Sequence, residues 1–177
     1  MNSKIPSLKI TIISFLLFFI NAFLLMYFGH FLKEYSDVPK IDFQINGYTI
    51  DTVKELFLDY GKSGRNLYFW MTIIDIPFPF LVAFFGYSYF GYTWKKWNFK
   101  IIYKLIIIAG FSFCLFDNIE NLLIFKMLNN YPILNETEIM ISSISTKIKL
   151  ISLIIVYTAV PITLIISLIK LIIKKST

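Results

Sequence analysis

The chain is poor in the residues that most metal and nucleophilic chemistry needs. In 177 residues it has one cysteine (Cys114), one histidine (His30) and one arginine (Arg65). A lone cysteine excludes an intrachain disulfide and a cysteine metal site, and Cys114 lies in an apolar run where packing is its ordinary role. There is no phosphate-binding loop, no Rossmann glycine run and no Ser-His-Asp arrangement. Neither a metal nor a cofactor is therefore expected. Charge is also scarce, at 16% of residues. The net charge of +6 would suggest nucleic acid only if the bases formed a patch on a folded surface. They fall instead at the ends of apolar runs and in loops, where they act as topology signals and headgroup contacts, so lipid is the expected partner and nucleic acid is not. Internal repeats and low-complexity linkers are missing too.

What the chain has in excess is apolar surface. It is 57% hydrophobic and 19% aromatic, against about 45–50% apolar in soluble domains. The excess sits in four runs, at about residues 10–31, 67–92, 101–127 and 150–173. Each reaches the roughly 20 residues that cross a bilayer core, and each must be helical because lipid offers no partner to a free peptide group. The first run is longer than a signal-peptide core and no Ala-x-Ala site follows it, so it reads as a retained span. The fold expected for residues 1–177 is a single domain, an all-α integral membrane protein built as a four-helix transmembrane bundle.

Unopposed lysines mark one side. Lys95, Lys96, Lys100 and Lys104 lie between runs two and three, Lys4 and Lys9 at the N-terminus, and Lys170, Lys174 and Lys175 at the C-terminus. The other two loops mix lysine with aspartate and glutamate. Both termini are thus expected in the cytoplasm, with Tyr92, Trp94 and Trp97 in the aromatic belt. In the first outer loop Thr49 can cap a short amphipathic helix bearing Val53, Leu56 and Phe57, which Gly61 stops. In the second, Asn135 can cap an early start to span 4, with Glu138 as its capping-box partner. Asn135-Glu136-Thr137 also fits a glycosylation triplet. Lys174-Lys175-Ser176-Thr177 has the form of an ER-retrieval signal, so the expected site is the ER membrane in a eukaryote and the plasma membrane in a bacterium.

Ionisable residues within spans are costly, at about 2.5–3.5 kcal/mol even on the lenient insertion scale. Three acids fall there: Asp75 in span 2, Asp117 and Glu120 in span 3. Counting from the outer ends of their spans, Asp75 lies roughly 12 Å deep and the other two roughly 10–15 Å. Asp117, Glu120 and Asn121 share one helix face at i, i+3 and i+4. These acids are the candidate catalytic groups, and Asn21, Arg65, Asn118, Asn121 and Tyr157 the candidate ligand-binding groups. Lys147 and Lys149, near the outer end of span 4, can lean inward toward an acid. Pro77 and Pro79 beside Asp75, and Pro161 in span 4, should break or kink their helices and open room for a pocket. The competing reading is that the polar groups only lock helices together. Proton or cation conduction is disfavoured, because no ionisable residues continue through the inner half of spans 2 and 3.

Length, layout, the Asp75-Ile76-Pro77-Phe78 run in span 2, Pro161 in span 4 and the short outer helix together resemble the four-span sterol-handling family of emopamil-binding protein and the sigma-2 receptor. That resemblance implies a pocket for a sterol-like or other flat apolar ligand, with buried carboxylates facing a cationic group or carbocation. The chain departs from it in having no acid in span 1 and in carrying Asp117-Asn118-Ile119-Glu120-Asn121. The pattern Gly64-Arg65-x-x-Tyr68, Asp75-x-Pro77 and Asp117-x-x-Glu120-Asn121 also resembles small uncharacterised bacterial membrane proteins. The expected function is binding of a small apolar, lipid-like or sterol-like molecule in an outer-half pocket. If the chain is an enzyme, it is an isomerase-like one, with one carboxyl donating and another accepting a proton. The alternative is an assembly or trafficking protein without catalysis. A homodimer is a further expectation.

Overall fold

The computed structural model describes residues 6–97 and 100–176. The side chains of Trp94, Lys95, Lys96, Trp97, Lys100, Lys174, Lys175 and Ser176 lie outside the described residues, as do Lys4 and Thr177. Among the described residues the regular structure is entirely helical: α1 (Leu8–Leu32), α2 (Ile50–Asp59), α3 (Gly61–Asp75), α4 (Phe78–Trp97), α5 (Lys100–Asn130) and α6 (Glu136–Ser176), with a 3-10 turn at Ile41–Phe43. Four stretches are long and apolar enough to cross a membrane: Leu8–Leu32, Gly61–Thr93, Ile101–Asn130 and Glu136–Lys170. The second is α3 and α4 end to end.

The join between them is chemical. Pro77 and Pro79 supply no N–H, so the helix cannot continue its i to i−4 ladder through them. At the break the Ile76 N–H turns to the Ile73 carbonyl at 3.3 Å. The Asn21 amide of α1 donates to the Ile74 carbonyl at 3.1 Å, satisfying a peptide group that the break would leave bare. Pro161, by contrast, does not interrupt α6. One proline removes one donor, whereas the pair in span 2 removes two within three residues.

α1 packs on α3 and α4, α4 on α5, and α5 on α6. The bundle has a termini end and a loop end. At the termini end Thr11 donates to the Ser88 carbonyl and Tyr89 reaches α6 at Val160 and Thr163. At the loop end residues 33–60 form a cap. Thr49 caps α2 through the Thr52 N–H, and Gly61, at φ +55°, turns the chain into α3. The face of α2 bearing Val53, Leu56 and Phe57 is buried against the bundle in one core with Tyr60, Tyr68, Met71, Ile124 and Met127. A second core, of Val82, Ala109, Phe113 and Val156, lies nearer the termini.

α6 begins at Glu136, some way before the apolar run that starts near residue 150. Asn135 caps it through the Glu138 N–H. The reciprocal half of the expected capping box does not form, because the Glu138 carboxylate instead pairs with Lys126 of α5. The early start adds a polar stripe to α6. Ser142, Ser145, Thr146, Lys149 and Ser152 are all buried and recur at helical spacing.

Candidate functional site

The two cores are separated by a layer of charge. Lys149 of α6 is its centre. Its ammonium sits 2.9 Å from Asp117 Oδ1 and also pairs with Glu120. Thr146, one turn earlier, donates to the other Glu120 oxygen. Asn121 donates to Asp117 Oδ2 at 3.1 Å. Asp117, Glu120 and Asn121 are all buried, and the shared face that the i, i+3, i+4 spacing predicts is the face that meets α6.

A further carboxylate arrives from the cap. Asp42, in the 3-10 turn, is buried. Lys40 lies 2.9 Å from its Oδ2 and Tyr68 of α3 donates to its Oδ1 at 3.0 Å. Burial pushes the Asp42 carboxyl up, but the positive charges of Lys40 and Lys149 outweigh it and hold the group below its ordinary value. Tyr48 ties the cap to α6: its N–H donates to Ser143 and its phenol to Ser142, with Thr146 Oγ1 3.4 Å from Tyr48 Oη. Burial, with Glu120 nearby, raises the Tyr48 phenol, so it remains a neutral donor.

Gly47 makes this tether feasible. Its φ is +85°, and a Cβ there would stand 2.6 Å from both Ser143 Oγ and Lys147 Cε. Gly47→Ala should therefore loosen the cap, through a left-handed backbone penalty of about 1–2 kcal/mol plus displacement of the Ser143 hydroxyl. Hydrogen exchange at residues 41–60 should speed up while α5 keeps its protection. Asp42 adds a pH test. A carboxyl held low in the folded state contributes stability above its unfolded value, and that stability is lost as pH falls through the folded value. Cap protection should hold from neutral pH down to about pH 4 and fail below it. Asp42→Asn should weaken the cap at neutral pH and remove that acid transition.

A cavity of about 800 Å³ opens beside the charged layer. Its walls are Ala22, Leu25, Met26, Gly29 and His30 of α1, Leu150, Leu153 and Tyr157 of α6, and Lys33, residues 36–40, Asp42 and Phe43 of the cap. Asp75, Asp117 and Lys149 lie on its floor. Asp75 differs from the other acids. It is 9% exposed, yet it makes no hydrogen bond or ion pair with a described residue. Asp117 and Glu120 are engaged; Asp75 faces the cavity with free lone pairs. The layer holds four carboxyls (Asp42, Asp75, Asp117, Glu120) and two ammonium groups (Lys40, Lys149). Asp42, Asp117 and Glu120 face Lys40 or Lys149, and Asp75 alone of the four has no basic partner among the described residues.

The remaining candidates fall in different places. Tyr157 lines the cavity. Asn21 is occupied with the α3–α4 break. Asn118 turns to the Cys114 carbonyl of its own helix. Arg65 points away from the acids, since it donates to the Phe57 carbonyl at the end of α2 and stacks on Tyr131. Asp42, Tyr48, Tyr68, Thr146 and the central role of Lys149 are additions from the structure. The helical spacing of Thr146 and Lys149 with Ser142 was the signal in the sequence for two of these neighbours. No protein-family model, curated protein or solved structure matches the chain.

Proposed function

We propose that the chain is a multi-pass membrane protein that binds a small amphipathic molecule in the cavity, with a cationic group of the ligand on Asp75. The observation that carries this reading is the Asp75 carboxyl, nine-tenths buried, unpaired and facing a cavity whose other walls are largely apolar. Pockets that take small ligands have volumes of about 300–1,000 Å³, apolar walls and a few convergent polar groups. A ligand cation would give Asp75 the basic partner that it lacks among the described residues. The resemblance to sterol-handling four-span proteins fits such a ligand, which would be lipid-like or sterol-like.

Binding is favoured over an isomerase-like proton transfer by the state of the acids. Acid–base catalysis on one substrate needs a donor and an acceptor that can both reach it. Here Asp117 and Glu120 are held by Lys149, Asn121 and Thr146, which leaves Asp75 as the buried carboxyl on the cavity without a partner among the described residues. The network of α5 and α6 itself fits the alternative, a polar lock between helices, but that role does not use Asp75. The lysine-rich 95–104 link and the lysines at both termini support an orientation with both ends in the cytoplasm.

The test is to purify the protein in mild detergent and identify co-purifying small molecules by mass spectrometry. The expected result is an amine-bearing apolar compound at near-stoichiometric level, depleted in Asp75→Asn. A wild-type protein carrying nothing beyond bulk lipid, and the same bulk lipid in Asp75→Asn, would overturn the reading.

A further inference from the structure

The four spans form a chain of contacts, α1 to α3 and α4, then α5, then α6, with one side left open. Every neighbouring pair in that order packs extensively, and α1 with α6 does not. These two helices instead face each other across the cavity. They meet at its termini-side edge, where the Phe18 and Tyr157 rings lie 6.2 Å apart edge to face. The wall residues are also surface residues: Met26 of α1, toward the loop end, lines the cavity and is 75% exposed, and Tyr157 of α6, at the termini-side edge, lines it and is 42% exposed. A side chain that is both lining and surface marks an opening. The opening faces sideways, beside the exposed apolar residues Phe23 and Ile154, which neighbour the lining positions on α1 and α6, and is roofed by the cap.

We infer that the α1–α6 seam is a chain-binding subsite and the ligand's access route from the bilayer, so that the ligand is a long-chain amine whose hydrocarbon tail passes between Met26 and Leu150 into the surrounding lipid. This rests on the reading that Asp75 holds the ligand's cation. The occupant follows from continuity: the seam runs without interruption from the unpaired carboxyl to the apolar outer surface. A molecule filling both has a charge at one end and hydrocarbon at the other. The tail needs no enclosed volume, because lipid completes its surroundings. Flexible aliphatic wall residues (Leu25, Met26, Leu150, Leu153) suit a mobile chain.

The experiment uses the full chain in phosphatidylcholine nanodiscs and a long-chain primary amine carrying a diazirine at mid-chain, with labelled peptides mapped after illumination. The expected result is labelling of residues 22–29 and 150–157, reduced by about tenfold or more in Asp75→Asn and in Ala22→Trp, which fills the seam without touching the acids. Labelling that depends on Asp75 but lands on residues 36–43 and is indifferent to Ala22→Trp would overturn the seam and leave the Asp75 reading intact. Labelling of the seam that Asp75→Asn does not change would overturn the Asp75 reading, and the inference with it. A dimer in the nanodisc that Met26→Arg dissociates would assign the seam to a second copy and overturn the inference.

Discussion

Lys149→Met should cost the folded protein about 3–5 kcal/mol, the largest loss expected from any single substitution in the chain. The lysine is buried and its ammonium is shared between Asp117 and Glu120. Removing it leaves two buried carboxylates side by side with no countercharge, and breaking a buried pair from one side costs about that much. The measurement is thermal or denaturant unfolding in detergent. The triple variant Lys149→Met, Asp117→Asn, Glu120→Gln should recover most of the loss, because a neutral layer has no charge to desolvate. If Lys149→Met unfolds like the wild type, the ammonium is not where the structure puts it. If the triple variant is as unstable as the single one, the loss comes from packing and not from charge.

Asp75→Asn should do the reverse, leaving unfolding nearly unchanged while ligand binding falls about thirtyfold or more. Truncating one side of a buried charge pair between partners costs about 2 kcal/mol or more in affinity, which is roughly thirtyfold. The fold should tolerate it because Asp75 makes no hydrogen bond or ion pair with a described residue, and the amide has nearly the same shape. Without ligand the variant should be as stable as wild type or slightly more so, since an unpaired buried acid is removed. The check is a pair of readings on one preparation: an unfolding midpoint, and retention of an amine ligand by equilibrium binding. A variant that loses both together would show that Asp75 holds helices together. The two substitutions thus separate the layer into a part that maintains the bundle and a part that meets the ligand.

Much of this architecture was legible in the residues. The four helices long and apolar enough to cross a membrane follow from the long apolar runs. The α3–α4 break follows from Pro77 and Pro79, and the Asp117–Glu120–Asn121 face from helical spacing. Thr49 and Gly61 mark α2 at both ends. The rest was hidden for identifiable reasons. Lys149 was legible as a lysine able to lean toward an acid, and Asn135 as an early cap of α6; which acids it meets, and that it rather than Lys147 is buried, came only from the packing of α6 on α5. Asp42 reads as one of several loop charges, and only tertiary packing buries it under Lys40 and Tyr68. Arg65 sits at the loop end, where a long side chain could have turned either way. The carbonyl at the end of α2 and the Tyr131 ring, both close by, fix its direction. Asn21 carries the right chemistry for a ligand contact, but the peptide group that it satisfies exists only because the neighbouring span is broken.

The Lys149 bridge also bears on how such a chain comes to be made. Held alone in hydrocarbon, the acids of α5 and the lysine of α6 would each be a heavy burden, and each cancels the other's. The two helices are joined by only the short 131–135 turn, so in the membrane protein proposed above they would leave the insertion machinery together as a hairpin with opposite charges already matched. Biosynthesis would then be gated by the last span: until residue 149 has emerged, the third helix has no comfortable home in the lipid. A ribosome stalled before α6 should leave α5 lingering at the translocation channel.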